Sequence, residues 1–248
     1  MLSQGTGWRA EGLRDAARVS GVRLQIPRQR KTPEQLVRTS LGLDFTITLG
    51  DVMARIGHVE LLNLVLSNRW TSVLIIEDNM DWDIDLRNQT RNIAAAVLAL
   101  TGGEDSGQAP YGMDWDLLWM GHCNDLVTNE SPKLTYKDHS VGALHGYRGP
   151  DGHITSVLSE GERCVHYSEN TACSFGYAIS AEGVKNLLPL VSHGQEGAFD
   201  VLLMRACRDS IPRCVSVYPE VFKPYTPTDG VVSAHKAGDN SEKIRSAK

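Results

Sequence analysis

The stretch T-S-V-L-I-I-E-D-N-M-D-W-D (residues 71–83) divides into two halves of opposite character. Its first half is a short, nearly all-apolar run, which predicts a central strand covered on both faces. The run stops abruptly at Glu77. With Asp78, Asp81, Asp83 and Asp85, that residue places five carboxylates within nine positions. Such crowding is unfavourable unless the groups are solvated or share a cation. In open α/β sheets ligands bind outside the carboxyl ends of the strands, so this junction is where a site is expected.

Upstream, Asp51 can cap a helix running to about Leu66, with Val52, Ile56, Val59 and Leu66 on one stripe and Arg55 and His58 at its border. Before it, Glu11 to Val19 reads as a short helix stopped by Gly21. Val22, Leu24 and Ile26 then alternate as a strand ended by Pro27, and residues 28–49 read as a connection. Downstream, a helix over Leu86 to Leu100 and a Gly- and Pro-bearing loop precede a buried strand, Leu117 to Met120, that ends in Gly121, His122 and Cys123. Asn124 to Arg163 reads as a long excursion with one hairpin. From Cys173 a strand carries Phe175, Tyr177 and Ile179, and Ser180 can cap a helix to about Val191. A helix over Phe199 to Arg208 and a strand with Val215 and Val217, ended by Pro219, complete the order. This alternation predicts a layered α/β sheet in a single domain over residues 1–225, followed by a polar tail, 226–248.

The 248 residues, 41% apolar, suffice for one sizeable core. The net charge of -5 and scattered basic residues argue against nucleic acid, which demands clustered Lys and Arg. No stretch approaches the roughly 18 apolar residues of a bilayer span, so no membrane span is expected and the chain reads as soluble. The first residues lack the order of a secretory signal, which leaves the compartment open; a secretory lumen is expected if an N-terminal anchor is missing from the sequence in hand. Five cysteines read as mostly buried thiols, with Cys207 and Cys214 close enough to pair.

Magnesium or manganese would suit the acidic cluster, since hard cations bridge one or two carboxylates to substrate phosphates. The competing reading is a solvated acidic turn. An EF-hand is excluded, because counting from Asp81 puts Leu86 where Gly is needed and Asn92 where the bidentate Glu belongs. A two-metal phosphohydrolase lacks the further ligands that such sites recruit.

At these residues the chain resembles glycosyltransferase family 25, in its lipopolysaccharide-biosynthesis and fungal-type members, whose L-E-D-D type motif stands here as I-I-E-D-N-M-D-W-D. R-I-G-H at Arg55 to His58 matches the family's upstream helix, and D-L-L-W-M-G-H-C at Asp116 to Cys123 matches a second block. C-S-F-G-Y-A-I-S-A-E-G-V-K-N-L-L and F-D-V-L-L match two more, in the family's order, over roughly Asp51 to Phe222. The resemblance implies a GT-A-like, Rossmann-like fold with a central, mostly parallel sheet. It also implies an inverting, metal-assisted transfer of a hexose, galactose first among candidates, from a UDP-sugar to a glycan or glycoprotein acceptor.

Carried over by position, Asp78 and Asn79, with Asp81 and Asp83 close by, are the metal set, taking manganese or magnesium. Glu77, Asp78, Arg55, His58 and His122 are the donor-side residues, and Asp200 is the acceptor-side base. The bland alternatives are a helix N-cap for Asp200, a packed helix-border pair for Arg55 and His58, and a satisfied structural His122. Trp82, Trp115, Trp119 and Tyr177 read as core, and His235 as a distant candidate ligand. Two departures stand out. Asn79 replaces an Asp and brings an oxygen without charge, and residues 1 to 9 hold no counterpart of the family's opening apolar strand. Both leave room for a catalytically impaired relative that binds a nucleotide or glycan.

Overall fold

In the computed structural model of this chain, residues 7–27, 47–104, 107, 109–123, 125–141, 157–192, 197–209 and 213–225 are described. The elements follow in the order α1 (Trp8–Val19), α2 (Leu49–Ser67), β1 (Ser72–Ile76), β2 (Met80–Asp81), α3 (Leu86–Thr101), β3 (Leu117–Cys123), β4 (Lys133–Lys137), β5 (Glu162–Tyr167), β6 (Ala172–Ser180), α4 (Ala181–Ser192), α5 (Phe199–Asp209), β7 (Cys214–Tyr218) and β8 (Lys223–Pro224). The expected tail and His235 lie outside the described residues.

The fold is α/β. Six strands form one sheet in the order β1-β6-β3-β7-β5-β4, and β2 pairs with β8 in a separate two-stranded ladder. The expectation of a mostly parallel central sheet is corrected: among the described residues only β3 and β7 pair in parallel, and the other ladders are antiparallel. The strands nevertheless keep a common polarity where it matters. Because β1 and β3 both run against β6, and β7 runs with β3, the carboxyl ends of β1, β3 and β7 open on the same edge of the sheet.

Alternation along β3 divides the core. Leu118 and Met120 face one layer with α1 and α3, through Leu13, Ile93 and Val97, joined by Val165, Val215 and Val217. Leu117 and Trp119 face the other with α2, α4 and α5, through Leu62, Leu187 and Leu203, joined by Tyr177 and Ile179. Trp82 and Trp119 are both buried, as expected of core residues. Full burial of a large apolar side chain contributes about 2–3 kcal/mol.

Several boundaries follow the predicted chemistry. Gly21 and Gly102 adopt left-handed backbone after α1 and α3. Ser180 Oγ accepts from Gly183 N at 2.9 Å and caps α4. Gly183 is required there, since a Cβ would lie 2.2 Å from the Asp116 carbonyl oxygen. Within the expected excursion β4 pairs antiparallel with β5, which runs past its bounds to Tyr167.

Other expectations are corrected. Thr48, not Asp51, is the N-cap of α2; Asp51 is its reciprocal partner three residues on, accepting from Thr48 N while donating its own N–H to Thr48 Oγ1. Val22, Leu24 and Ile26 form no strand, but pack as irregular chain against the α1–α3 layer. The run at residues 71–76 is not central: β1 ends the strand order, beside β6, and its first residue is exposed. Its apolar side chains are covered by helices rather than by flanking strands. The cysteines form two disulfides, Cys123–Cys173 and Cys207–Cys214, with only Cys164 a buried free thiol among the described residues.

Candidate functional site at the carboxyl edge of the sheet

The β1 strand delivers Glu77 to the sheet edge, where its backbone N–H donates to the Phe175 carbonyl at 2.9 Å and prolongs the β1–β6 ladder. Its side chain is fixed from β6, Ser174 Oγ donating to Glu77 Oε1 at 2.9 Å. The neighbouring residue Cys173, with φ +62, is tied to Cys123 at the end of β3. One disulfide therefore joins the strand that carries His122 to the strand that holds Glu77.

A strap closes over this edge. After Pro219 the chain crosses the sheet, and the N–H groups of Val221 and Phe222 both donate to the Met120 carbonyl, at 2.7 and 3.1 Å. Phe222 lies on Gly121 and Gly176, where a Cβ would come within 2.7 and 2.8 Å of its atoms. Beyond it β8 pairs with β2, and Tyr225 N donates to the Asn79 carbonyl at 2.7 Å. The acidic segment is thereby fastened at this edge of the sheet, as its rim. Sequence reading missed this strap; the two glycines inside adjacent strands β3 and β6 were its signal, since they mark a close backbone approach.

The acidic residues divide by exposure. Asp81 and Asp83 are buried, their Oδ1 atoms accepting from the backbone N–H groups of Trp82 and Asp85 at 2.9 and 2.8 Å. They hold the turn. Glu77 and Asp78 stay half-buried on the rim, and Asp78 Oδ1 stands 3.5 Å from Nη1 of Arg9, on α1. Asn79 Oδ1 is buried and, among the described residues, has no hydrogen-bond partner.

This donor set does not fit a cation held by Asp78, Asn79, Asp81 and Asp83 together. Two of the four are committed to the turn, one faces a guanidinium, and one is neutral. Among the described residues no three His, Cys, Asp or Glu side chains are grouped as metal ligands. Within this set, the Asn79 oxygen calls for an added donor or cation.

Arg55, His58 and His122 lie in the interior rather than on the rim. Arg55 is fully buried, and its Nε donates to the Val191 carbonyl at 2.8 Å, at the carboxyl end of α4; a cation there complements the helix dipole. His58 stacks flat on Phe199, ring centroids 4.1 Å apart, and shares a hydrogen bond of 3.0 Å with the Tyr177 hydroxyl. Burial pushes His58 down to about 3. Burial, then the charge of Glu77, holds the Tyr177 phenol well above its ordinary value. Both are neutral at pH 7. They form a packed link from α5 to the Glu77 end of the sheet, which is why residues placed at a helix border by periodicity sit inside.

His122 Nε2 donates to the Val217 carbonyl at 2.8 Å, while Nδ1 is buried without a partner among the described residues. Beside it Asp125 accepts from Thr171 Oγ1 at 2.6 Å and pairs with His166 at 2.9 Å. Burial pulls His166 down, but the hydrogen bond and charge of Asp125 prevail and raise it. These groups are buried and form a structural polar knot. Asp200 lies in the first turn of α5, half-buried, with Oδ1 accepting from Val201 N. It follows Phe199, so the His58–Tyr177 link joins its helix to Glu77.

Compared with known proteins, the chain matches no family model and no curated protein.

Proposed function

We propose that this chain is a hexosyltransferase of the glycosyltransferase family 25 type, with a GT-A-like arrangement, taking a UDP-sugar donor at the rim formed by Glu77, Asp78 and Asn79. One observation supports it above the rest: the acidic segment following β1 is fastened by Ser174 and the β2–β8 ladder at the carboxyl edge of the sheet, the location where α/β folds bind ligands. A solvated acidic turn would not need burial of Asp81 and Asp83 to shape it.

In this reading Asp200 takes the proton of the acceptor hydroxyl as that oxygen attacks the anomeric carbon, and the sugar–phosphate bond breaks with inversion. The Glu77 carboxylate, oriented from β6, accepts hydrogen bonds from donor hydroxyls. Two disulfides suit a compartment in which thiols stay oxidised. Among the described residues no helix is long and apolar enough to cross a membrane.

The experiment is incubation with a panel of UDP-sugars in manganese, in magnesium and in EDTA, reading UDP release and donor binding. UDP release from at least one hexose donor, abolished by Asp200→Asn, is the expected result; absence of binding to every donor would sink the proposal. A second reading, a nucleotide- or glycan-binding relative without turnover, draws on the neutral Asn79 and the committed Asp81 and Asp83. It expects binding without UDP release, and turnover on Asn79→Asp.

A further inference from the structure

The approach of a diphosphate to this rim raises an electrostatic difficulty. Glu77 and Asp78 are both half-exposed there, and two anions repel a third unless a cation intervenes. A metal held by the four acidic-segment residues does not fit, as their contacts showed. Lys223, opposite Asp81 in the β2–β8 ladder, lies 3.8 Å from Glu220 and is largely buried. Arg9 is differently placed. Its guanidinium is held from two sides, by Asp78 at 3.5 Å and by the Trp8 ring, whose centroid is 5.6 Å from its Cζ, yet its side chain stays 36% exposed.

A guanidinium has five N–H donors in a planar fork, and one contact to Asp78 engages few of them. Cation–π contact with Trp8 adds orientation without consuming any of them. The surroundings are also those of a binding rim. Trp8 is half-exposed, and its ring centroid lies 6.2 Å from that of Tyr225, the residue whose N–H fixes the Asn79 carbonyl. A flat apolar surface and a pre-oriented guanidinium thus meet beside Asp78 at one end of α1.

We propose that Arg9 is the diphosphate-binding residue of this rim, supplying by its guanidinium the positive charge that the acidic segment cannot recruit as a metal. The inference rests on the transferase reading for its choice of donor, but it concerns binding of the diphosphate group itself. Asp78 then acts as a positioning residue for Arg9.

The test is titration calorimetry with inorganic pyrophosphate and with UDP, each in EDTA and in manganese, on the wild-type chain, Arg9→Ala and Arg9→Gln. The Gln variant keeps much of the stem over Trp8 and guards against loss of α1 packing. Binding in EDTA that weakens by about 10- to 100-fold in both variants is expected, in line with loss of a charge-assisted hydrogen bond. Binding that needs manganese and is unchanged by Arg9→Gln would overturn the assignment while leaving the transferase reading standing. Pyrophosphate binding through Arg9 with no UDP bound in any condition would do the reverse. Failure of both probes in all conditions overturns both.

Discussion

Ser174 and Glu77 stand 97 residues apart in sequence and 2.9 Å apart in space, the hydroxyl donating to the carboxylate from the adjacent strand. That bond selects one rotamer of a half-buried acid at the mouth of the sheet. Ser174→Ala should lower stability by about 1–2 kcal/mol, as loss of a hydrogen bond to a charged group does. UDP-sugar affinity should fall with it. Denaturant midpoints and donor titration read the two effects separately, and an unchanged affinity would remove Glu77 from the donor site.

The strap depends on glycine at one position in each of two adjacent strands, β3 and β6. Gly176→Ala places a Cβ 2.8 Å from Phe222, and Gly121→Ala brings one within 2.7 Å of Phe222 and 3.0 Å of the Gly176 backbone nitrogen. Overpacking of this kind costs about 1–3 kcal/mol. Gly121→Ala should be the worse, because its neighbours are backbone atoms and the root of a side chain. Thermal unfolding of both variants ranks them, and equal, negligible shifts would mean that the strap lies more loosely than described.

Acid should weaken the fold through His58. Its folded value, about 3, lies below the ordinary 6.5, so the stability tied to its neutral state is present above pH 6.5 and is lost as pH falls towards 3. Asp125 is lowered in the folded chain despite its burial, by His122 and His166; its contribution is lost only below about its ordinary 3.8. His166 is raised, so its contribution is complete below 6.5 and is lost at higher pH. Between pH 6.5 and 4.5 the decline should therefore belong largely to His58. His58→Gln should be less stable at pH 7 but flatter across that window in urea titrations; an identical slope would contradict the account.

Reduction should act unequally on the two disulfides. Cys123–Cys173 closes a separation of 50 residues and Cys207–Cys214 one of 7. Chain-entropy arithmetic assigns the longer loop about 4 kcal/mol and the shorter about 2.5 kcal/mol. Replacing Cys123 and Cys173 by Ala together should lower the melting temperature more than the corresponding change at Cys207 and Cys214. The opposite order would point to structure retained in the unfolded chain.

What could be read in advance was local. The β3, β6 and β7 strands and helices α3, α4 and α5 follow from apolar period and from caps such as Ser180, which act within a few residues. The parallel sheet was not recovered, because strand direction is set by which strand lies beside β3, and an apolar run such as residues 71–76 looks alike at a centre or an edge. Arg55 and His58 illustrate the same limit at the site. Their positions on α2 were legible, but their burial depends on α4 and on Phe199 arriving from more than 130 residues later in the chain. Conversely, Arg9 carried no periodic signal at all, and only the fold of α1 against the acidic turn brings it to Asp78.

The place of β1 at the end of the strand order has a consequence for self-association. Among the described residues its ladder runs to β6 on one side only, and S-V-L-I-I carries no charge, whereas β4 at the opposite margin bears Lys133 and Lys137. Natural sheets guard their margins with lysine to discourage intermolecular strand addition. By that criterion the two flanks of this molecule are unequally defended, and concentrated solutions should cluster through the one that begins at Ser72.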